Sequence, residues 1–153
     1  MALRLREARN RRDEGAVLRF YRAEWRVARL PGSPEIYDLV ANGPSGILAA
    51  TSTGLMRSND FGISWTPTGG EIASKAIQAI AKEPMREGVF YAAVNGLVYE
   101  SDDNGESWQL ILPEGPAIDR IIQLLPSASQ PGRVFALTAT RGVFVMDRAI
   151  TAQ

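Results

Sequence analysis

The sequence predicts an all-β fold of propeller blades: about three four-stranded antiparallel units, with a short basic helix ahead of them. Three observations carry this. The phrase Ser58-Asn59-Asp60-Phe61-Gly62-Ile63-Ser64-Trp65 reads S-x-D-x-G-x-x-W, and it returns 43 residues later as Ser101-Asp102-Asp103-Asn104-Gly105-Glu106-Ser107-Trp108. A period in the forties is the signature of stacked repeats. Around each copy the chain breaks into short runs rich in β-branched and aromatic residues, bounded by Gly, Pro, Asn and Asp, which read as strands. Antiparallel units of roughly 40–50 residues, each covering the next, describe propeller blades.

The elements follow in order. Residues 1–23 form a basic arm, helical in part: Ala2 to Arg12 is a good helix-forming run, with Gly15 as its stop. Gly15-Ala16-Val17-Leu18-Arg19-Phe20 also reads as a decayed Gly-led strand before Trp25; the reading adopted is helix, then strand. The blades occupy 24–147 and a short tail 148–153. Glu24 to Pro31 resembles Ser107 to Pro113, so it is an orphan Trp-led strand. One unit runs from Glu35 to Pro67: Ile36–Val40, Ile47–Thr51, Gly54–Ser58, then the Trp65 strand. A second runs from Lys75 to Pro113: Ile77–Ala81, Val89–Ala93, Gly96–Ser101, then the Trp108 strand. A third supplies Ile121–Leu125, Val134–Thr138 and Gly142–Asp147, without a fourth strand. Runs such as Phe90-Tyr91-Ala92 do not alternate, as expected of strands covered on both faces.

Composition bounds the chemistry. The 153 residues are 45% hydrophobic and 22% charged, the size and balance of one soluble domain. No apolar run reaches the roughly 18 residues that span a bilayer. The first residues lack the apolar stretch of a secretory signal, which points to a cytoplasmic protein or a trimmed chain. With no cysteine there are no disulfides or thiolate metal sites. With no histidine there is no Ser-His-Asp or Cys-His mechanism, no imidazole metal ligand, and no ordinary base near neutral pH. Cofactors and metals are therefore expected to be none. Residues 1–30 hold nine Arg against four acidic residues, so a basic arm precedes a mildly acidic body. Only Phe20 and Tyr21 add aromatics to the arm, too few for a nucleic-acid surface.

The repeated phrase is first a folding device. The third and fourth strands of a unit must reverse, and Gly62 and Gly105 tolerate the positive φ this needs. Asp60 and Asp103 can accept bonds from N–H groups of the turn, and Ser58 and Ser101 can add another. Trp65 and Trp108 then carry large apolar areas into the core between units.

The phrase resembles the Asp-box, or BNR, repeat of sialidases, xyloglucan-degrading glycosidases, the sortilin receptors and the photosystem II assembly factors. The resemblance covers 24–147; Met146-Asp147-Arg148 departs from it as a truncated box. It implies that Ser58, Asp60, Gly62, Trp65, Ser101, Asp103, Gly105 and Trp108 are structural residues on the outer hairpins, and that any site lies at the propeller centre.

No catalytic residue is assigned. Asp60, Asp102 and Asp103 read as turn residues rather than catalytic carboxylates. Glu100-x-Asp102-x-Asn104-Gly105 imitates the start of a calcium loop, but the twelfth position is Ile111 instead of Glu. The sialidase Arg-Ile-Pro motif is absent. A glycosidase needs two placed carboxylates, and Glu35, Asp38, Glu71 and Asp119 are the candidates at first-strand starts. Tyr37 and Tyr99 are candidate surface aromatics; the three tryptophans read as core.

These readings give a non-catalytic binding or assembly scaffold, with a sialidase-like or xyloglucanase-like propeller as the alternative. The expected partner is a second copy, completing a ring of two three-blade chains, or another protein; carbohydrate is possible and nucleic acid is not expected. In the dimer the Trp25 strand is expected beside the Gly142 strand of its partner.

Overall fold

The computed structural model describes residues 16–21, 24–111 and 120–148, and side chains from residue 28 onward. The expected helix over Ala2–Arg12, and Asp119, lie outside the described residues. The described chain is all β apart from one 3-10 turn, Gly70–Ile72.

Strands β1 (Ala16–Tyr21) and β2 (Glu24–Arg29) form an antiparallel hairpin. The segment read as an arm thus contains a strand. The Trp25 strand is not an orphan either, because β1 already pairs along its length. The first blade is β3 (Ile36–Asn42), β4 (Gly46–Thr51), β5 (Gly54–Ser58) and β6 (Thr66–Thr68), in that spatial order. The second is β7 (Ala79–Lys82), β8 (Phe90–Val94), β9 (Leu97–Ser101) and β10 (Gln109–Leu110). The third has three strands, β11 (Ile121–Pro126), β12 (Arg133–Thr138) and β13 (Val143–Asp147). All pairings are antiparallel.

Local chemistry explains the boundaries. Both β6 and β10 start one residue after a tryptophan, because the Trp closes the preceding turn. Pro67 sits in β6, an edge strand, where a missing N–H costs no ladder bond. Asn95 and Gly96 both take positive φ (52° and 80°), and Val94 pairs with Leu97 across them. This is the geometry of a two-residue type I′ hairpin. Gly96 therefore belongs to a turn, whereas Gly54 opens its strand.

Packing between blades builds the core. The first and second blades meet through Leu48, Ala50, Leu55, Ile72 and Ile77 against Ile80, Phe90, Ala92, Val94, Tyr99 and Trp108. The second and third meet through Ala79, Ala81, Tyr91, Ala93 and Val98 against Ile121, Leu124, Val134 and Ala136. A third cluster joins Leu30, just past β2, to Ala49, Met56 and Trp65 on the other face of the first blade. Strand β8 is buried along its whole length, as expected of a sheet covered on both sides. The principal contacts between sheets run through β3, β7 and β11, so the first strands converge at the centre and the outer strands fan apart.

Two buried carboxylates, Glu83 and Glu100, reach across the second interface. Glu83 is 1% exposed and accepts bonds from the Tyr91 hydroxyl (2.9 Å) and from the Gly132 N–H of the third blade (3.2 Å). Arg86 donates to Tyr91 (2.7 Å) and pairs with Glu100, which also pairs with Arg148 of the third blade.

Candidate functional site

The two copies of the phrase fold alike. The Asp60 carboxylate accepts from the Ile63 N–H (3.0 Å), the Ser64 N–H (2.9 Å) and the Ser64 hydroxyl (2.6 Å), and the Ser58 hydroxyl donates to it at 2.8 Å. Asp103 repeats this with Glu106, Ser107 and Ser101. The Ser58 and Ser101 hydroxyls accept from the N–H groups of Gly62 and Gly105, both at 2.8 Å. The Trp65 and Trp108 indoles are buried and donate back to the carbonyls of Gly62 and Gly105.

These bonds account for the acidity of both carboxylates. The Ser64 hydroxyl and N–H, then Ser58 and Ile63, hold Asp60 at about 2. Burial pushes Asp103 upward, but the Ser107, Ser101 and Glu106 donors outweigh it and also hold it at about 2. Each turn places two successive residues at positive φ, Phe61-Gly62 and Asn104-Gly105. The glycines are readable in the sequence; Phe61 is not, because a bulky residue seldom adopts φ 59°.

The second turn also docks on the first blade. Arg57 donates to the Asn104 carbonyl (2.6 Å) and pairs with Glu106; Thr68 donates to the Gly105 carbonyl. A Cβ on Gly105 would come within 3.0 Å of Leu48. Arg57 was missed by the sequence reading. Its only signal is its place immediately before the Ser of the phrase.

The candidate carboxylates do not converge. Glu71 lies in the 3-10 turn after β6, where it accepts from the Trp108 N–H (3.2 Å) at the outer part of the blades. The expectation that it opens a central first strand is corrected, because the linker turns along the outer edge before entering β7. Tyr99 is also corrected as a surface aromatic: it is buried in the first interface, below the Lys75 ammonium. Among the described residues no cluster of three or more carboxylates could hold a metal ion.

Glu35, Tyr37 and Asp38 do meet at the centre. A cavity of about 330 Å³ opens along the first strands, lined by Tyr37 and Asp38 of β3, Ile80 of β7, and Ile122, Gln123 and Leu124 of β11. Tyr37 is 40% exposed and donates to Glu35 (3.0 Å), and the Arg120 guanidinium stands 5.9 Å from its ring centroid. The bond to Glu35 raises the Tyr37 pKa, aided by slight desolvation and the Glu35 charge and opposed by Arg120. Tyr37 is therefore a donor at neutral pH. Asp38 is held on both oxygens: one accepts from the Leu39 N–H (2.8 Å), the other from the Ile80 N–H of the next blade (3.0 Å). The cavity wall thus carries the Tyr37 phenol, the Asp38 carboxylate and the Gln123 amide beside Ile80, Ile122 and Leu124, with Glu35 and Arg120 close by against Tyr37.

No family model and no curated protein sequence matches this chain. Solved structures do. An ancestral GH74 enzyme superposes with a TM-score of 0.66 at 20% identity, over 79% of this chain and 18% of that one. YCF48 bound to D1 peptide superposes at 0.64 and 14% identity, over 78% of this chain and 40% of that one. The GH74 xyloglucanase from Xanthomonas campestris gives 0.55 and 19% identity, over 84% and 19%. The likeness shows the fold, propeller blades, and this chain spans less than half the length of each of these structures. Among the described residues no helix is long and apolar enough to cross a membrane.

Proposed function

We propose that the chain is a non-catalytic propeller scaffold that binds a protein segment at the centre, through Glu35, Tyr37, Arg120 and Gln123. The single observation that carries this reading is that Asp38, the one carboxylate among the described residues that lines the cavity, is held on both oxygens by backbone N–H groups, which suits a place in the wall rather than a reacting group. A glycosidase needs two such groups, about 5–9.5 Å apart, acting on one bond. The polar rim over an apolar floor suits a peptide, whose backbone offers both donors and acceptors. One structural relative, YCF48, is described bound to D1 peptide, which supports a peptide ligand here. On this reading the repeated phrase is the Asp box, a folding element on the outer hairpins of blades spanning 24–147.

A second reading has one observation in its favour. The Tyr37 hydroxyl lies on the Glu35 carboxylate, the arrangement a tyrosine nucleophile and its base would use. Fluorogenic glycosides of several sugars separate the two readings. The scaffold reading expects no turnover; hydrolysis abolished in both Tyr37→Phe and Glu35→Gln would overturn it. Binding is tested with a peptide library on the intact chain: Arg120→Ala and Tyr37→Ala should each weaken a captured peptide about tenfold.

A further inference from the structure

The third blade leaves open the face that is covered in the other two. Sheet pairing fixes the equivalences. Leu48, Tyr91 and Phe135 hold one place in the second strands, and Leu55, Val98 and Val143 hold one place in the third strands. Leu48, Leu55, Tyr91 and Val98 are each 0% exposed, because the second blade covers the first and the third covers the second. Val143 is 60% exposed, and Leu125 and Val145 on the same face are 59% and 54% exposed. Leu125 and Val143, with Phe135 and Leu137, line an apolar groove of about 360 Å³. Isolated exposed apolar residues mean little, but a contiguous patch of them marks a contact surface.

The edge beside this face is open as well. In the first two blades a short strand led by a tryptophan, β6 or β10, pairs along the third strand. Among the described residues nothing pairs with the outer side of β13. Free edges are commonly blunted by proline or charge. Strand β6 carries Pro67, whereas β13 reads Val143-Phe144-Val145-Met146 before its first charge at Asp147. Inside the chain one continuous stretch covers both places. From Trp65 the chain makes β6, the 3-10 turn and β7; it pairs with β5 and sets Ile72, Ile77 and Ile80 among Leu48, Ala50 and Leu55. The third blade carries the chemistry for such a stretch. Gln123 stands at the place of Asp38, whose carboxylate accepts from the Ile80 N–H, and its amide oxygen can accept the same bond. Val145 stands at the place of Arg57 and Glu100, each of which pairs with a charge of the next blade, so a covering stretch meets it with an uncharged residue. The superposed propellers extend well beyond the region that this chain spans.

We propose that the open face and edge of the third blade are covered by a further stretch of propeller polypeptide from outside residues 1–153. It supplies a tryptophan-led strand along β13, then an aliphatic first strand across Leu125, Phe135 and Val143. The first of these adds to β13 by main-chain hydrogen bonds, as a fourth strand. The second sets aliphatic side chains, in the places of Ile77 and Ile80, into the groove, and offers its backbone N–H to Gln123.

Appending a copy of Trp65–Lys82 behind Gln153 of the intact chain tests this, because that stretch covers the first blade in the same way. Seven residues then separate Met146 from the appended tryptophan, against six between Ser58 and Trp65, enough to close the hairpin. The extended chain should melt at least about 5 °C above one that carries a scrambled copy. Amide exchange across Val143–Asp147 should slow about tenfold or more. Val143→Arg, at an exposed position, should leave the parent chain folded by circular dichroism and abolish both gains by setting a charge in the groove. An extension no better than its scramble, or gains indifferent to Val143→Arg, would overturn the proposal. So would either rival occupant: a parent chain that sediments as a dimer and is dissociated by Val143→Arg, or a library peptide whose affinity Val143→Arg lowers as much as Tyr37→Ala does.

Discussion

Replacing Asp103 by alanine removes one carboxylate that organises an entire hairpin. The loss can be built from its partners. The Glu106 and Ser107 N–H groups donate to it at 3.0 and 2.9 Å, and both residues are exposed, so water takes the carboxylate's place. A bond to a charged acceptor contributes about 1.5–3 kcal/mol when shielded and less at a wet turn, so the two together are worth about 1–2 kcal/mol. The Ser107 hydroxyl rehydrates at little cost. The Ser101 hydroxyl differs: Ser101 is 1% exposed, it still accepts from the Gly105 N–H, and its own proton loses its acceptor. That adds about 1 kcal/mol, for a total of about 2–3 kcal/mol. In a chain of this size each kcal/mol lowers Tm by about 2–4 °C, so the melting temperature should fall by about 4–12 °C. Asp102→Ala, at the neighbouring exposed position, serves as the control and should change little. The pH dependence gives an independent check. Asp103 is held near 2 in the folded chain against 3.8 for an unperturbed aspartate, so its contribution is complete above about pH 5 and disappears as pH falls through 4 toward 2. Parent and variant should therefore converge in stability on acidification. Urea unfolding between pH 7 and pH 2.5 measures both effects. A loss below about 0.5 kcal/mol at pH 7, or a gap that stays constant down to pH 2.5, would refute the reasoning.

Two further perturbations test the interfaces and the turn. Glu83→Ala strands the Tyr91 hydroxyl and the Gly132 N–H in the second interface, and should destabilise by about 3 kcal/mol in urea unfolding; Glu83→Gln, which keeps an acceptor, should recover part of it. Phe61→Asn places at φ 59° the residue type that Asn104 supplies in the second turn, and should raise stability by about 0.5–1 kcal/mol through relief of backbone strain, read as a higher Tm.

How much was legible follows from where each signal lives. The blades were legible because strand runs, turn residues and the phrase repeat at short range: Asp60 with Ile63 and Ser64, Ser58 with Gly62, Trp65 with the Gly62 carbonyl all act within a few residues. Features that depend on a neighbouring blade were not legible. Arg57 gains its role from Asn104 and Glu106, 47 and 49 residues away, and Tyr99 is buried by side chains of the first blade. Glu71 was read among the first-strand starts; the 3-10 turn that holds it instead depends on Gly69 and Gly70 at positive φ, packed on Leu55 and the Glu106 carbonyl. At the centre Glu35 and Asp38 were nominated together, but a sequence does not show that the Ile80 N–H of another sheet claims Asp38.

The two internal interfaces differ in charge although the blades share one strand plan. The residue before the phrase's Ser reaches across to the next blade in both cases, with opposite charge. Arg57 meets Glu106 of the second blade, whereas Glu100 meets Arg148 of the third. The two contacts are not interchangeable: Glu106 lies five residues past the Ser of its phrase, whereas Arg148 follows the last strand directly, and Glu100 also pairs with Arg86 of its own blade. The Glu106 side chain is 61% exposed, so its pair with Arg57 contributes at most about 1 kcal/mol, whereas the Glu100 side chain is 5% exposed and depends more on its two arginines. Apolar packing therefore holds the blades together, and the charged pairs, of opposite polarity at the two interfaces, add selectivity to it.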